Sequence, residues 1–233
     1  MIETPQRALV IFAHPDDAEF GCSGTVAKWT REGAKVFYTV CTNGDKGSND
    51  PNMTSERLVE LRHQEQLDAS KVLGVEEVVF LNNPDGGLED TTDLRRDMVR
   101  SIRRFKPDIV ICPNAFYQTR FSHRDHRVAG IVALDAMFPY ARDRLHYPEL
   151  LKEGLEPHKT AMALMWGSEE PDEFIDIAST IETKIKALLC HKSQAVDGAW
   201  AKIGDRMKDG AREAGKKAEL ECAEAFRKIP FRR

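Results

Sequence analysis

Short apolar runs alternate along this chain with longer stretches whose apolar residues recur every three or four positions. The runs cover residues 7–13 (RALVIFA), 35–41 (KVFYTVC), 78–81 and 108–113 (DIVICP), with no polar alternation in any of them. Unbroken apolarity rich in β-branched residues suits strands covered on both faces. Between them, residues 55–73 set Leu58, Leu61, Glu65, Ala69 and Val72 along one stripe, with Gly74 where a helix cap belongs. Residues 92–105 repeat the pattern through Leu94, Met98, Ile102 and Phe105. Strand and helix in alternation predict right-handed crossovers, hence an α/β fold with a Rossmann-like, mostly parallel sheet flanked by helices.

The C-terminal part reads as less regular. Residues 161–166 and 174–177 look like two further strands. Ser179-Thr180-Ile181-Glu182 has the form of a capping box opening a helix through Ile181, Ile185 and Leu188. Residues 205–226, rich in Ala, Glu and Lys, are expected to be helical with a weak apolar face, and Arg227 onward to form a frayed basic tail. No repeat or linker divides the chain, so residues 1–233 are read as one domain.

Composition narrows the partners. An apolar fraction of 41% and a charged fraction of 31% are those of a soluble globular protein. A formal net charge of −4 leaves no electrostatic footprint for nucleic acid. Runs such as residues 8–13 fall far short of the roughly 20 residues a membrane-spanning helix needs, and that run is too short for a signal-peptide core. The five cysteines (Cys22, Cys41, Cys112, Cys190, Cys222) form no C-x-x-C pair. Scattered thiols in apolar segments imply structural cysteines, a reducing compartment and a cytoplasmic location.

The candidate chemistry lies in two clusters, His14-Pro15-Asp16-Asp17 and His123-Arg124-Asp125-His126, which follow the first and fourth predicted strands. In an open parallel sheet these strands are neighbours where strand order reverses, and ligands bind in that crevice. If His14, Asp17 and His126 hold a divalent ion, three protein ligands leave a position for water, as in catalytic zinc sites. Water bound there drops from a pKa of about 15.7 to about 7, which supplies hydroxide at neutral pH. Asp16 is then free to act as general base. His123, as the imidazolium, could stabilise an oxyanion and protonate a departing amine, while Asp125 orients an imidazole from behind. Blander readings exist for each residue. An Asp-Asp pair often caps a helix, Ser122 or Asp125 could merely begin one, and a lone histidine is commonly a polar loop residue. A two-histidine, one-carboxylate set could also hold Fe(II) in an oxygenase, although that chemistry has no use for Asp16. A phosphate-binding turn at residues 21–25 is the remaining rival, but its glycines do not complete G-x-G-x-x-G.

Ala13-His14-Pro15-Asp16-Asp17-Ala18-Glu19, followed by Gly21 and Gly24-Thr25, resembles the AHPDD signature of the LmbE/PIG-L family of zinc-dependent de-N-acetylases. His123-Arg124-Asp125-His126 resembles the family's second motif, usually H-P-D-H, with Arg124 in place of proline. Thr42-Asn43-Gly44, Arg62 with Glu65, Leu73-Gly74-Val75 and Pro84-Asp85-Gly86 match as well, so the likeness covers most of residues 8–130, with looser echoes at 184–194 and 223–227. The resemblance implies removal of the acetyl group from an N-acetylglucosamine-containing small molecule. It places zinc on His14, Asp17 and His126, the base role on Asp16 and transition-state stabilisation on His123. It sets Arg62 and Asp85 near the sugar, against the alternatives of a surface ion pair with Glu65 and a turn-forming aspartate. A related amidase for a thiol conjugate or an antibiotic intermediate would share the mechanism. Relatives that form hexamers or smaller rings imply a homo-oligomer. Tyr117, Phe121 and His146 are candidates for the pocket wall; otherwise His146, His158 and His191 are read as structural or interfacial.

Overall fold

The computed structural model describes residues 2–195 and 200–231. β1 (Arg7–Phe12), β2 (Lys35–Thr42), β3 (Glu77–Asn83), β4 (Ile109–Pro113) and β5 (Met162–Trp166) run parallel in the spatial order β3-β2-β1-β4-β5. β6 (Glu173–Asp176) and β7 (Ala223–Pro230) complete a sheet of seven strands, with β7 antiparallel to both β5 and β6. The helices are α1 (Asp17–Gly21), α2 (Ser23–Arg31), α3 (Ser55–Leu73), α4 (Thr92–Phe105), α5 (Arg124–Met137), α6 (Glu149–Lys152), α7 (Ile181–Leu188) and α8 (Ile203–Lys216).

The unbroken apolarity of β1 has the expected cause. Leu9 and Ile11 pack toward Met98, Ile102, Val132 and Ala133 of α4 and α5, and Ala8, Val10 and Phe12 toward Val26, Trp29, Ala69 and Leu73 of α2 and α3. Alternate residues of one strand thus enter two separate cores, and all are fully buried. Helices start and stop where local chemistry says they should. Thr54 and Thr91 accept hydrogen bonds from the amides of Arg57 and Leu94, and Gly74 ends α3 at φ 76°. Strand order reverses between β1 and β4, so α1 and α5 both begin over that crevice. Gly130 lets α5 press onto the end of β4, since a Cβ there would lie 2.4 Å from the Pro113 carbonyl oxygen.

The C-terminal expectations need correction. α8 ends at Lys216, and Ala223–Pro230 is a strand rather than helix followed by frayed tail; positions 232 and 233 lie outside the described residues. Helix-favouring Ala, Glu and Lys are overridden here because β5 presents unpaired backbone groups that β7 satisfies. Nor does Thr180 cap α7. Its hydroxyl donates to the Gly24 carbonyl at 2.8 Å instead. No helix among the described residues is long and apolar enough to cross a membrane.

β7 is also bolted to the helices through Glu224. Its carboxylate accepts from the Gly24 and Thr25 amides at 2.9 and 2.7 Å and from Lys184 Nζ at 2.6 Å, all of it buried. An internal carboxylate therefore occupies the amides that a phosphate-binding turn would need, which removes that rival. Removing one partner of a buried pair leaves an uncompensated charge. Glu224→Ala should lower unfolding stability by about 3–5 kcal/mol in denaturant titration; a loss under about 0.5 kcal/mol, the scale of an ordinary surface substitution, would mean the bolt carries nothing.

Candidate active site

His14, Asp16 and Asp17 occupy the turn from β1 into α1. His123 stands at the N-cap of α5, with Asp125 and His126 in the first turn of that helix. Asp85 lies in the turn after β3, and Arg62 reaches in from α3. Together with Lys46, Gly47 and Gln194, all of these except Asp125 line one cleft of about 330 Å³.

Three donors converge in it. His126 Nε2 lies 3.2 Å from His14 Nδ1 and 3.0 Å from Asp17 Oδ1, while His14 Nδ1 is 3.6 Å from Asp17 Oδ2. Ligand atoms around a tetrahedral ion at about 2.0–2.1 Å must be about 3.3–3.4 Å apart. The spacing fits a single cation. The imidazoles of His14, His123 and His126 also offer ring nitrogens within 4.8 Å of one another, as do His14, Asp85 and Asp125. The second of these sets lies on the far side of the His14 ring, at hydrogen-bond spacing. There Nε2 meets Asp125 Oδ2 at 3.1 Å and Asp85 Oδ1 at 3.0 Å. Asp125 is fully buried and accepts the Gly86 and Leu88 amides at 2.7 and 3.2 Å. A carboxylate so placed takes the Nε2 hydrogen of His14 and turns the Nδ1 lone pair toward His126 and Asp17.

The electrostatics agree. Burial disfavours charge on His14, yet hydrogen bonds and charge from Asp17 and Asp85 outweigh it and raise its pKa to about 10. Asp17 is buried too, but His126 and His14 hold its carboxyl well below the usual range. Asp16 goes the other way. Burial lifts it to about 7, with Arg62 opposing and Asp17 adding to the rise. Its backbone sits at φ 102°, and its side chain makes no cap bond to α1, so the bland capping reading does not hold. A non-glycine residue held there costs about 1–3 kcal/mol, which the surroundings must offset.

Arg62 and Asp85 are both at the cleft. Arg62 is buried and donates to Pro15 O at 2.6 Å, with longer bonds to Gly44 O and Lys46 O; Asp16 Oδ2 and Asp85 Oδ2 lie 3.6 and 3.7 Å away. It does not pair with Glu65, which binds the amide and hydroxyl of Ser193 at 2.7 and 2.6 Å. Asp85 does shape a turn, but its carboxylate faces His14 and Arg62.

Two expectations fail. His123 accepts the Asp125 amide on Nδ1 at 3.2 Å, and burial together with the charge of His14 lowers its pKa. Both features run against the imidazolium expected at this position. Tyr117, Phe121 and His146 do not line the cleft: Tyr117 lies under Arg120, Phe121 is 86% exposed beneath Arg127, and His146 packs on Tyr140. In their place stand Lys46, Gly47 and Gln194. The first two fall in a loop that leaves a strand end. Gln194 had no local signal beyond the faint echo at 184–194. His158 and His191 are tied to Pro107 O and Glu19 inside the protein. Burial pushes the Cys41 and Cys112 thiols up, Cys112 to about 12, which leaves neither a nucleophile.

A mostly parallel open sheet that gathers two histidines and a carboxylate at its strand ends, with a further carboxylate beside them, has the parts of a hydrolase. The family model described as PIG-L: GlcNAc-PI de-N-acetylase matches residues 9–137, and the chain belongs to this family of N-deacetylase hydrolases. The diacetylchitobiose deacetylase of Thermococcus kodakarensis is 29% identical over 97% of this chain and 84% of its own. A probable N-acetyl-alpha-D-glucosaminyl L-malate deacetylase 2 of Bacillus subtilis is 27% identical over 88% of this chain and 90% of its own. Among solved structures, the N,N'-diacetylchitobiose deacetylase from Pyrococcus horikoshii superposes with a TM-score of 0.91 at 29% identity, covering 97% of this chain and 84% of that one.

Metal occupancy tests the donor set. His14→Ala and His126→Ala should each leave the purified protein with sub-stoichiometric metal by elemental analysis, and His123→Ala should not. Asp125→Ala should weaken metal affinity about 10- to 100-fold in a chelator competition.

Proposed function

We propose that this protein is a zinc-dependent hydrolase that removes the acetyl group from an N-acetylglucosamine-containing small molecule. The carrying observation is the position of Asp16, a carboxylate outside the His14, Asp17 and His126 donor set, raised to about 7 by burial and standing in the same cleft. Two imidazoles and one carboxylate suit zinc with a position left open. When bound there, the ion polarises the amide carbonyl and acidifies the attacking water.

Asp16 takes the proton of that water at its carboxylate as the oxygen attacks the acetyl carbon. His123 points Nε2–H at the carbonyl oxygen, where negative charge develops; as a neutral donor it needs no proton of its own to transfer. When the C–N bond breaks, the proton held by Asp16 passes to the amine nitrogen. Acetate and a free amino sugar leave. Asp85 offers an acceptor for sugar hydroxyls, while Arg62, already engaged with three carbonyls, balances the charge of Asp16 and Asp85 and keeps both in place. Diacetylchitobiose and N-acetylglucosaminyl malate, named for the two relatives, pose the same amide. The same reading takes the enzyme as a cytoplasmic homo-oligomer, on its free cysteines and on Phe121 and Leu145, exposed by 86% and 87%.

Acetate release from diacetylchitobiose is the direct test. Activity should require zinc, fall with a chelator, and proceed without O₂; an oxygen requirement with iron bound would replace this reading by an oxygenase. Asp16→Asn should keep its metal and lose about 10²–10⁴ in kcat, equivalent to about 3–5 kcal/mol. Near-native turnover in that variant removes the base. His123→Ala should lower kcat with metal retained, whereas a rise in KM alone would make His123 a binding residue.

A further inference from the structure

One peptide group at the site is gripped at both ends. The Pro15 carbonyl accepts from Arg62 at 2.6 Å, and the Asp16 amide donates to Gln66 Oε1 at 3.0 Å. Arg62 and Gln66 lie one turn apart on α3, so a single helix face holds the plane of the Pro15–Asp16 bond. That plane sets the left-handed backbone of Asp16, and with it the aim of the carboxylate.

The grip on the amide side continues inward. Gln66 Nε2 donates to Glu19 Oε1 and Oε2 at 3.2 and 3.4 Å, and Glu19 Oε2 meets His191 Nε2 at 3.2 Å. Gln66, Glu19 and His191 are all fully buried, so water does not stand in for any of them. The polarity is fixed link by link. The Asp16 N–H can only donate, so Gln66 must present its oxygen. Its NH₂ then faces Glu19, whose carboxylate accepts from it and from His191. Without Glu19 the carboxamide has no reason to keep its oxygen toward Asp16.

We propose that Gln66 and Glu19, backed by His191, are positioning residues for Asp16. This rests on Asp16 being the base. A displacement of about 1 Å at a reacting group can lower a rate about 100-fold, and the network prevents such a displacement.

Gln66→Met keeps the volume and removes the acceptor. In the diacetylchitobiose assay it should lower kcat about 10- to 100-fold, with KM and metal content unchanged. The double exchange Gln66→Glu with Glu19→Gln reverses the donor and acceptor between positions 66 and 19 but still leaves an acceptor for the Asp16 amide and one for His191 Nε2, and should recover most of the kcat that Gln66→Met or Gln66→Glu alone loses. Native kcat in Gln66→Met, a change in KM alone, or an exchanged pair as slow as the single variants overturns the proposal. Should Gln66→Met not fold, amide exchange in the unaltered protein decides. The Asp16 amide should exchange slowly, and exchange at the rate of an exposed peptide overturns the proposal. Asp16→Asn is run alongside. If it stays active, the base assignment has failed; if it is inactive while Gln66→Met is not, only the positioning role has failed.

Discussion

Four carboxylates at one site, three of them lining the cleft, set the terms for everything around them. Asp16, Asp17, Asp85 and Asp125 surround the His14 ring or stand beside it, and the Arg62 guanidinium lies 3.6 and 3.7 Å from Asp16 and Asp85. Two carboxylates about 5 Å apart repel by about 3 kcal/mol at an effective dielectric of 20. Such a group is tolerable only if positive charge is present or if one member stays protonated. Both responses are at work: Asp17 and Asp85 favour positive charge on His14, and burial disfavours the charge of Asp16. A divalent cation on Nδ1 of His14 would relieve the same field more fully. The charge of the cleft therefore favours a positive ion, and Asp16 is raised where Asp17 and Asp85 are lowered.

The fold supplies this arrangement through one topological fact. β1 and β4 are neighbours, with register from Ala8 and Ile109 to Val10 and Ile111. The residues after each strand must then meet, whatever their identity. This is why the meeting of the two histidine-aspartate clusters was legible in the sequence. Unbroken apolar runs located the strands, and alternation with helices located the crevice. The HPDD and HRDH signatures then filled it.

What was not legible depended on partners distant in sequence. β7 is a strand because the edge of β5 is open to it, while its own residues favour helix. Thr180 bonds to Gly24 rather than to its own helix. The amide that His123 accepts lies two residues on and becomes available only because α5 begins there. Charge and composition could not reveal any of these. The same holds for Gln194, brought to the cleft by a segment far down the chain.

α3 shows how the catalytic turn and the substrate loops are kept in one frame. Arg62 reaches the β1–α1 turn and the loop at 44–46, Glu65 holds Ser193 beside Gln194, and Gln66 holds Asp16. Three side chains within five residues thus tie together Asp16, one cleft-lining loop and the C-terminal segment that closes the other side. Loops 42–54 and 191–194 both have their roots fixed to this helix. Because the fixings are backbone carbonyls, a backbone amide and the Ser193 hydroxyl, most of them constrain position without dictating which side chains the loops present. A helix of this kind allows one reaction to be retained while the molecule bearing the acetamide varies, and the names of the relatives show that range.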